Sequence, residues 1–511
     1  MKADSPAQDT KVDKTVLIPA MVVIIFVCGL LTAFPEAGGK YLNRLLAFTT
    51  NELGILYLWL GVFSLGFMGW IIFGKYGAIK LGKPEETPEF STPSWIMMLF
   101  CAGLGSGALY WGSIEWAYYY LSPPFSLAPK SVEAGNHAAM YGMFHWGIMA
   151  WAMYALPSVP IAYAFHVKKI PYLRMSSACK GILGHHADGL PGKIIDIFFI
   201  LGLMGGVGAT LGLSTPMLSQ GIAQLTGLVR SFEMDVVIIV LWTALFGTSV
   251  YLGLERGIKR LSDFNVCIGL ALICFMLFSG PTIFILSTFT NSVGLLFDKF
   301  ILMSLGTDPI GKSGFAQGWT IFYWAWWIAY APYMGLFVTR ISRGRSLGEM
   351  AFAQCFWGSM GCWVIFSVLG NTGLYFELNE IVPVTRILTD QGAPAAIIEI
   401  IRHFPLGSGV LVIFLILGFV YSATTMDSAA FVVASVASDK MLPTDQPARW
   451  HRLLWALVLG GVTLTMMYLG GLKNIQTLCV VAAFPLIFII GLSVCSLLRW
   501  LKEDEPTTPQ N

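Results

Sequence analysis

The residues with the most distinctive chemistry form an aromatic run, Phe322-Tyr323-Trp324-Ala325-Trp326-Trp327-Ile328-Ala329-Tyr330, with three Trp in four positions just ahead of Pro332. A second set, His145-Trp146-Gly147, Trp151 and Tyr154, holds an i,i+3 pair preceded by a Trp roughly 1.4 turns away. Tyr118 adds a further phenol. These residues fall within apolar stretches, whereas membrane Trp usually sits at the headgroup boundary. Brought together, their ring faces would form a cage. A methylated ammonium donates no hydrogen bond, so it is best desolvated against π faces, each contributing about 0.5–2 kcal/mol. Any one of these Trp alone would serve as helix packing or as an anchor; their number around two helices points to a binding site. Met334, one turn past Tyr330, is either a soft cavity wall or core filler.

Four ionisable residues, Glu115, Asp263, Asp427 and His145, lie within or beside apolar stretches, where charge is costly and function is the default reading. Glu115 and His145 could relay a proton or form a hydrogen-bonded structural pair. His166, His185 and His186, at or beyond the end of a stretch, are expected to be solvated. The chain has no HExxH and no paired His ladder, which argues against an enzyme. No repeated charged ring suggests a channel filter. Nine Cys without a C-x-x-C pair, most of them in apolar runs, read as buried hydrophobes with neither disulfide nor metal.

The elements that must position these residues are membrane helices. Of 511 residues, 56% are hydrophobic and 12% charged, and the mean hydropathy is +0.70. Apolar runs of about 20 residues recur, each long enough to cross a hydrocarbon core of roughly 30 Å. The chain therefore reads as an all-α polytopic membrane protein, which excludes soluble enzymes, nucleic-acid binders and secreted disulfide scaffolds. A net charge of +2 implies no polyanionic partner. Twelve transmembrane helices are expected near 15–34, 53–73, 95–121, 138–166, 195–215, 235–254, 263–289, 318–339, 349–376, 408–438, 451–470 and 474–500. The first follows a short polar start and is read as a retained span. Alternate connections on one side hold more than twice the Lys and Arg of the other, which places the N- and C-termini in the cytoplasm.

Helix breaks in lipid are tolerated only where they are packed in protein or line a cavity. The third span contains Gly103-Leu104-Gly105-Ser106-Gly107, and the eighth contains Trp326 to Pro332. These breaks are five helices apart, the pattern of a transporter made of two inverted five-helix repeats meeting at mid-membrane. The organisation expected is a cytoplasmic tail with two additional helices (1–94), a first repeat (95–290), a periplasmic connecting segment (291–317), a second repeat (318–500) and a short cytoplasmic tail (501–511).

FYWAWWIAYAPYMGLFVTRISRGRS at 322–346, GLGSG at 103–107, SIEWAYYYLSPP at 113–124 and FHWGIMAWAMYA at 144–155 resemble the betaine/carnitine/choline transporter family. The resemblance covers nearly the whole chain. It implies a LeuT-type five-plus-five inverted repeat preceded by two helices, a homotrimer, and a bacterial inner (plasma) membrane location. It also implies a substrate site at Trp146, Trp151, Tyr154, Trp326 and Trp327, with Tyr118, Tyr330, Met334 and the glycines Gly105 and Gly107. The expected function is secondary active transport of a trimethylammonium zwitterion (carnitine, γ-butyrobetaine or glycine betaine) by alternating access.

Coupling is read from finer likenesses. SPPF at 122–125, TDPIGKSGF at 307–315, Met334 and LGGLKNIQT at 469–477 are similar to carnitine/γ-butyrobetaine exchangers, which work without sodium. Those exchangers lack the glycine break and carry an Arg where this chain has Asn265. The sodium-coupled members instead imply Na+ held by main-chain oxygens of Cys101 and Leu104 and by the hydroxyls of Thr424 and Thr425, although these hydroxyls could equally bond back within their helix. A second sodium position corresponds to Leu203 and Val207, which have no hydroxyl, so at most one strongly coupled sodium is expected. No other cofactor is implied. Choline-specific relatives carry Asp where this chain has Gly107, which favours a zwitterion. The short polar tails argue against osmotic activation.

Overall fold

The structure, a computed structural model, describes residues 11–103, 105–252, 255–439, 441, 445–469 and 472–504. Among the described residues the named elements are helices, with two isolated β-bridges, Val12 to Ser438 and Lys80 to Ser346. In chain order the helices are α1 (Lys14–Ala33), α2 (Pro35–Asn51), α3 (Gly54–Phe73), α4 (Thr92–Gly103), α5 (Ser106–Leu121), α6 (Val132–His145) and α7 (Ile148–Ala162). Then come the single turns α8 (Met175–Ala178) and α9 (Lys180–Leu183), α10 (Leu190–Thr226), α11 (Phe232–Leu252), α12 (Glu255–Ser279) and α13 (Thr282–Leu305). The remainder are α14 (Ile321–Ile341), α15 (Leu347–Ile365), α16 (Asn371–Leu378), α17 (Val384–Gln391), α18 (Ala393–Arg402), α19 (Gly407–Val436), α20 (Arg449–Leu469) and α21 (Leu472–Glu503). Among the described residues, 9 helical runs are long and apolar enough to cross a membrane. The protein is a polytopic membrane protein.

Local chemistry sets several helix ends. Asp13 caps α1 by accepting from the Thr15 N–H at 3.0 Å, and Ser346 and Glu349 form a reciprocal capping box at the start of α15. α10 runs for 37 residues and stops at Gly227, whose φ of 76° is the left-handed conformation that glycine adopts without strain. Residues 11–13 are tied to the end of α19, with the Asp13 N–H donating to the Ala437 carbonyl (2.9 Å) and the Asp439 N–H to that of Lys11 (2.7 Å).

The expected break in the third span is present: α4 ends at Gly103, α5 begins at Ser106, and Gly105 is extended (φ −123°, ψ 175°). The expected break in the eighth span is not. α14 continues through Pro332. Proline removes one N–H from the ladder, but α14 packs along α7, α21 and α10 and keeps its helical course. The pairing of breaks in two halves therefore does not exist in this form. A break occurs instead in the fourth span, where α6 ends at His145 and α7 starts at Ile148. The seventh span starts and ends earlier than expected: α12 runs from Glu255 to Ser279, and α13 occupies 282–305, so much of the segment read as a connection is helical. The amphipathic helices α2, α17 and α18 carry no long apolar run and were not anticipated. His166, expected in solvent, is buried and bonds the Thr339 carbonyl through Nε2 at 2.8 Å.

α7 and α14 form the most extensive helix pair in the molecule, flanked by α3, α10, α15 and α21. Both aromatic sets lie on this pair or at its immediate end.

Candidate functional site

Trp146 stands at the break between α6 and α7, followed by Gly147 in extended conformation (φ −100°, ψ −152°). A Cβ on Gly147 would lie 2.3 Å from the Met143 carbonyl and 2.8 Å from the Trp363 indole nitrogen, so only glycine allows the chain to turn here. One turn into α7, Trp151 lies against Gly358 of α15. There a Cβ would be 2.2 Å from the indole. Local sequence thus makes room for two large rings.

The five aromatics at the heart of the expected site come together. Trp146 lies 5.2 Å from Trp327 and 6.0 Å from Trp326, with interplanar angles of 79° and 81°. Tyr154 lies 4.4 Å from Trp327 at 65°, and Trp151 lies 5.5 Å from Tyr154 at 83° and 6.0 Å from Trp327. These mostly edge-to-face contacts join the five rings into one aromatic box, with Trp146, Trp326 and Trp327 meeting at one corner. All five are buried.

Each of the three Trp around the corner is held by its indole N–H. Trp327 donates to the His145 carbonyl (3.0 Å), Trp326 to the Gly206 carbonyl of α10 (3.2 Å) and Trp146 to Oε2 of Glu115 on α5 (3.1 Å). A net contribution of about 1 kcal/mol each is modest, but a buried N–H left unmade would cost about 1–3 kcal/mol, so these bonds fix ring orientation. The Tyr330 hydroxyl bonds Thr210 Oγ1 at 2.8 Å, which closes the box against α10.

The other expected residues are placed as follows. Gly107 faces the box: a Cβ there would sit 3.5 Å from Trp326 Cη2. Gly105 lines a separate apolar cavity with Leu109, Ile273, Ile365 and Tyr421. Met334 is buried on α14. Tyr118 is half-buried and stands outside the five rings, 5.2 Å from Trp319 and 6.2 Å from Trp111, and Trp111 in turn lies 6.5 Å from Trp326. The residues expected at the sodium site are placed only in part. Leu104 lies outside the described residues, Cys101 is in the last turn of α4, and Thr424 and Thr425 both donate to the Tyr421 carbonyl (3.0 and 2.8 Å).

Sequence reasoning missed Phe366, whose ring lies 5.1 Å from that of Trp146, and the α10 groups Gly206 and Thr210. Phe366 opens a π-helical turn at 366–370, which has no clear mark in the sequence. The Gly-rich stretch Gly205-Gly206-Val207-Gly208 was a usable signal of close approach on α10.

The membrane helices thus enclose a buried, hydrogen-bonded aromatic box. Comparison with known proteins identifies the class: the model of the betaine/carnitine/choline family transporter (BCCT) matches residues 15–506. A carnitine transporter of Acinetobacter baumannii is 36% identical, over 99% of this chain and 92% of its own length. An uncharacterized transporter of Escherichia coli, YeaV, is also 36% identical, over 87% of this chain and 92% of its own. The chain belongs to the betaine/carnitine/choline transporter family. It is a transporter and not an enzyme.

Proposed function

We propose that the protein is a secondary active transporter of trimethylammonium zwitterions, carnitine, γ-butyrobetaine or glycine betaine, that works by alternating access. The box of Trp146, Trp151, Tyr154, Trp326 and Trp327 is the observation that carries this reading, because converging π faces desolvate a cation that cannot donate hydrogen bonds. Gly107 against Trp326 supports a zwitterion, since no carboxylate stands at that position to balance a substrate lacking one. The carboxylate end is assigned to the first turns of α5. There the helix N-terminus has no side-chain cap, and Ser106 Oγ and Trp111 Nε1 are buried without a protein partner.

Sodium is the proposed coupling ion, with Thr424 and Thr425 among its ligands; their hydroxyl lone pairs stay available while the protons go to the Tyr421 carbonyl. A sodium-independent exchanger is the second reading, favoured by the segments similar to that subgroup. The five-plus-five repeat with two additional helices rests on family likeness, as do the homotrimer and the bacterial inner membrane, while the cytoplasmic termini rest on the Lys and Arg bias of the connections.

The test is uptake into liposomes of radiolabelled carnitine and glycine betaine, with an inward sodium gradient, with potassium replacing sodium, and with the lumen empty or preloaded with γ-butyrobetaine. Sodium-dependent uptake into empty vesicles is expected. Uptake that ignores sodium and needs preloading would replace the symporter with the exchanger, and no uptake of either compound would remove the substrate assignment.

A further inference from the structure

Glu115 lies one ring away from the box and is 1% exposed. Its Oε2 accepts from the Trp146 indole N–H (3.1 Å) and the Tyr323 hydroxyl, and its Oε1 accepts from the Tyr119 hydroxyl, with His145 Nδ1 at 3.4 Å. An indole N–H can only donate. The Tyr119 hydroxyl, while donating to Glu115, accepts from His145 Nδ1 at 2.8 Å, and Thr320 Oγ1 at 3.1 Å can donate to His145 Nε2. The Trp146, Tyr323 and Tyr119 donors are matched by a carboxylate that accepts from all three, beside an imidazole that donates through Nδ1. Among the described residues no Lys or Arg stands within ion-pair reach of Glu115. Glu115 is thus a buried, multiply hydrogen-bonded acceptor with His145 beside it and, among the described residues, no Lys or Arg partner.

We propose that Glu115 is the counter-charge for the ammonium group of the substrate, acting through Trp146. The indole lies between the carboxylate and the corner of the box, with its N–H aimed at Oε2 and its ring meeting Trp326 and Trp327 nearly at right angles. A donor hydrogen-bonded to an anion is polarised, so electron density shifts into the ring and its face attracts a cation more strongly. Glu115 is therefore a specificity-determining residue that separates a charged trimethylammonium from a neutral group of the same shape. Its carboxylate also explains why the Trp146 ring stays fixed at a helix break. The inference rests on the box being the substrate site.

The test uses purified full-length protein in nanodiscs and two ligands of equal shape: glycine betaine and 3,3-dimethylbutanoate, in which carbon replaces the ammonium nitrogen; γ-butyrobetaine and 5,5-dimethylhexanoate form a second such pair. Binding is measured by competition against labelled carnitine. The wild type is expected to prefer each ammonium ligand, and Glu115→Gln is expected to reduce that preference by roughly tenfold while affinity for the carbon analogue stays within about twofold. Trp146→Phe keeps Glu115 and a ring but breaks the link, and is expected to reduce the preference by about threefold. Should Glu115→Gln fail to give a monodisperse protein, Trp146→Phe decides. An equal loss for both members of a pair, or an unchanged preference, would overturn the counter-charge and leave Glu115 a positioning residue only. Failure of the wild type to bind any of these ligands would instead strike the substrate assignment itself.

Discussion

Trp327 is the ring on which the proposed box depends most, because it touches Trp146, Trp151 and Tyr154 at once. Trp327→Ala removes one π face from a desolvated cation, about 0.5–2 kcal/mol of binding, which is roughly 2–30-fold in affinity. It also removes a large buried side chain, at about 3–5 kcal/mol of stability. Trp327→Phe separates these effects. It keeps a face but leaves the His145 carbonyl without its 3.0 Å indole donor, which costs about 1–3 kcal/mol of stability, while affinity falls by only about threefold. The assay is calorimetric titration of carnitine into nanodisc-held protein, with melting temperature and gel filtration as folding controls. Wild-type affinity in a monodisperse Trp327→Ala protein would refute the box. Equal loss in both variants would mean that the indole bond, and not the ring face, matters.

Other perturbations probe neighbouring parts of the site. Gly107→Asp places a Cβ at ordinary contact distance from Trp326 and brings a carboxylate to the box; affinity for choline relative to glycine betaine should rise by about tenfold in competition binding, and an unchanged ratio would remove the argument from Gly107. Gly358→Ala forces a Cβ to 2.2 Å from the Trp151 indole, so overpacking should lower stability by about 1–3 kcal/mol or more and weaken carnitine binding; a wild-type melting temperature would show that α15 yields easily. Beyond the end of α21, burial of Asp504 opposes its ionised form, but the Lys168 ammonium at 2.7 Å and the Tyr163 hydroxyl at 2.6 Å outweigh this and hold its carboxyl below the usual range. A depressed carboxylate stabilises above its unfolded pKa of about 3.9 and stops doing so as pH falls through its folded value. Asp504→Asn should therefore lower the melting temperature at neutral pH, and the gap from wild type should close below about pH 4; a gap that persists in acid would point to packing.

The grouping of the aromatic rings was legible in the sequence because, although one Trp in an apolar stretch is explained by packing, four Trp and a Tyr on two segments away from a headgroup boundary are not. The break beside Gly105 was legible for a similar reason, since three glycines in five positions weaken a helix locally whatever surrounds it. Pro332 misled because proline takes away only one donor, and whether a helix then breaks is decided by what packs around it. Along α14 that support comes from α7, α10 and α21, three elements distant in sequence. Trp146-Gly147 shows the converse, for a single glycine marks that break in the sequence, and the Trp363 indole that helps exclude a side chain there arrives from a distant helix. Glu115 lies between these cases. Its bond to Tyr119 follows from i,i+4 spacing on α5, but its bonds to Trp146 and Tyr323 exist only once α5, the α6–α7 break and α14 have met. Local chemistry thus identified which residues could bind a quaternary ammonium. The charge that would tune one of them depends on long-range packing, and a sequence pattern can name such a residue without revealing its partners.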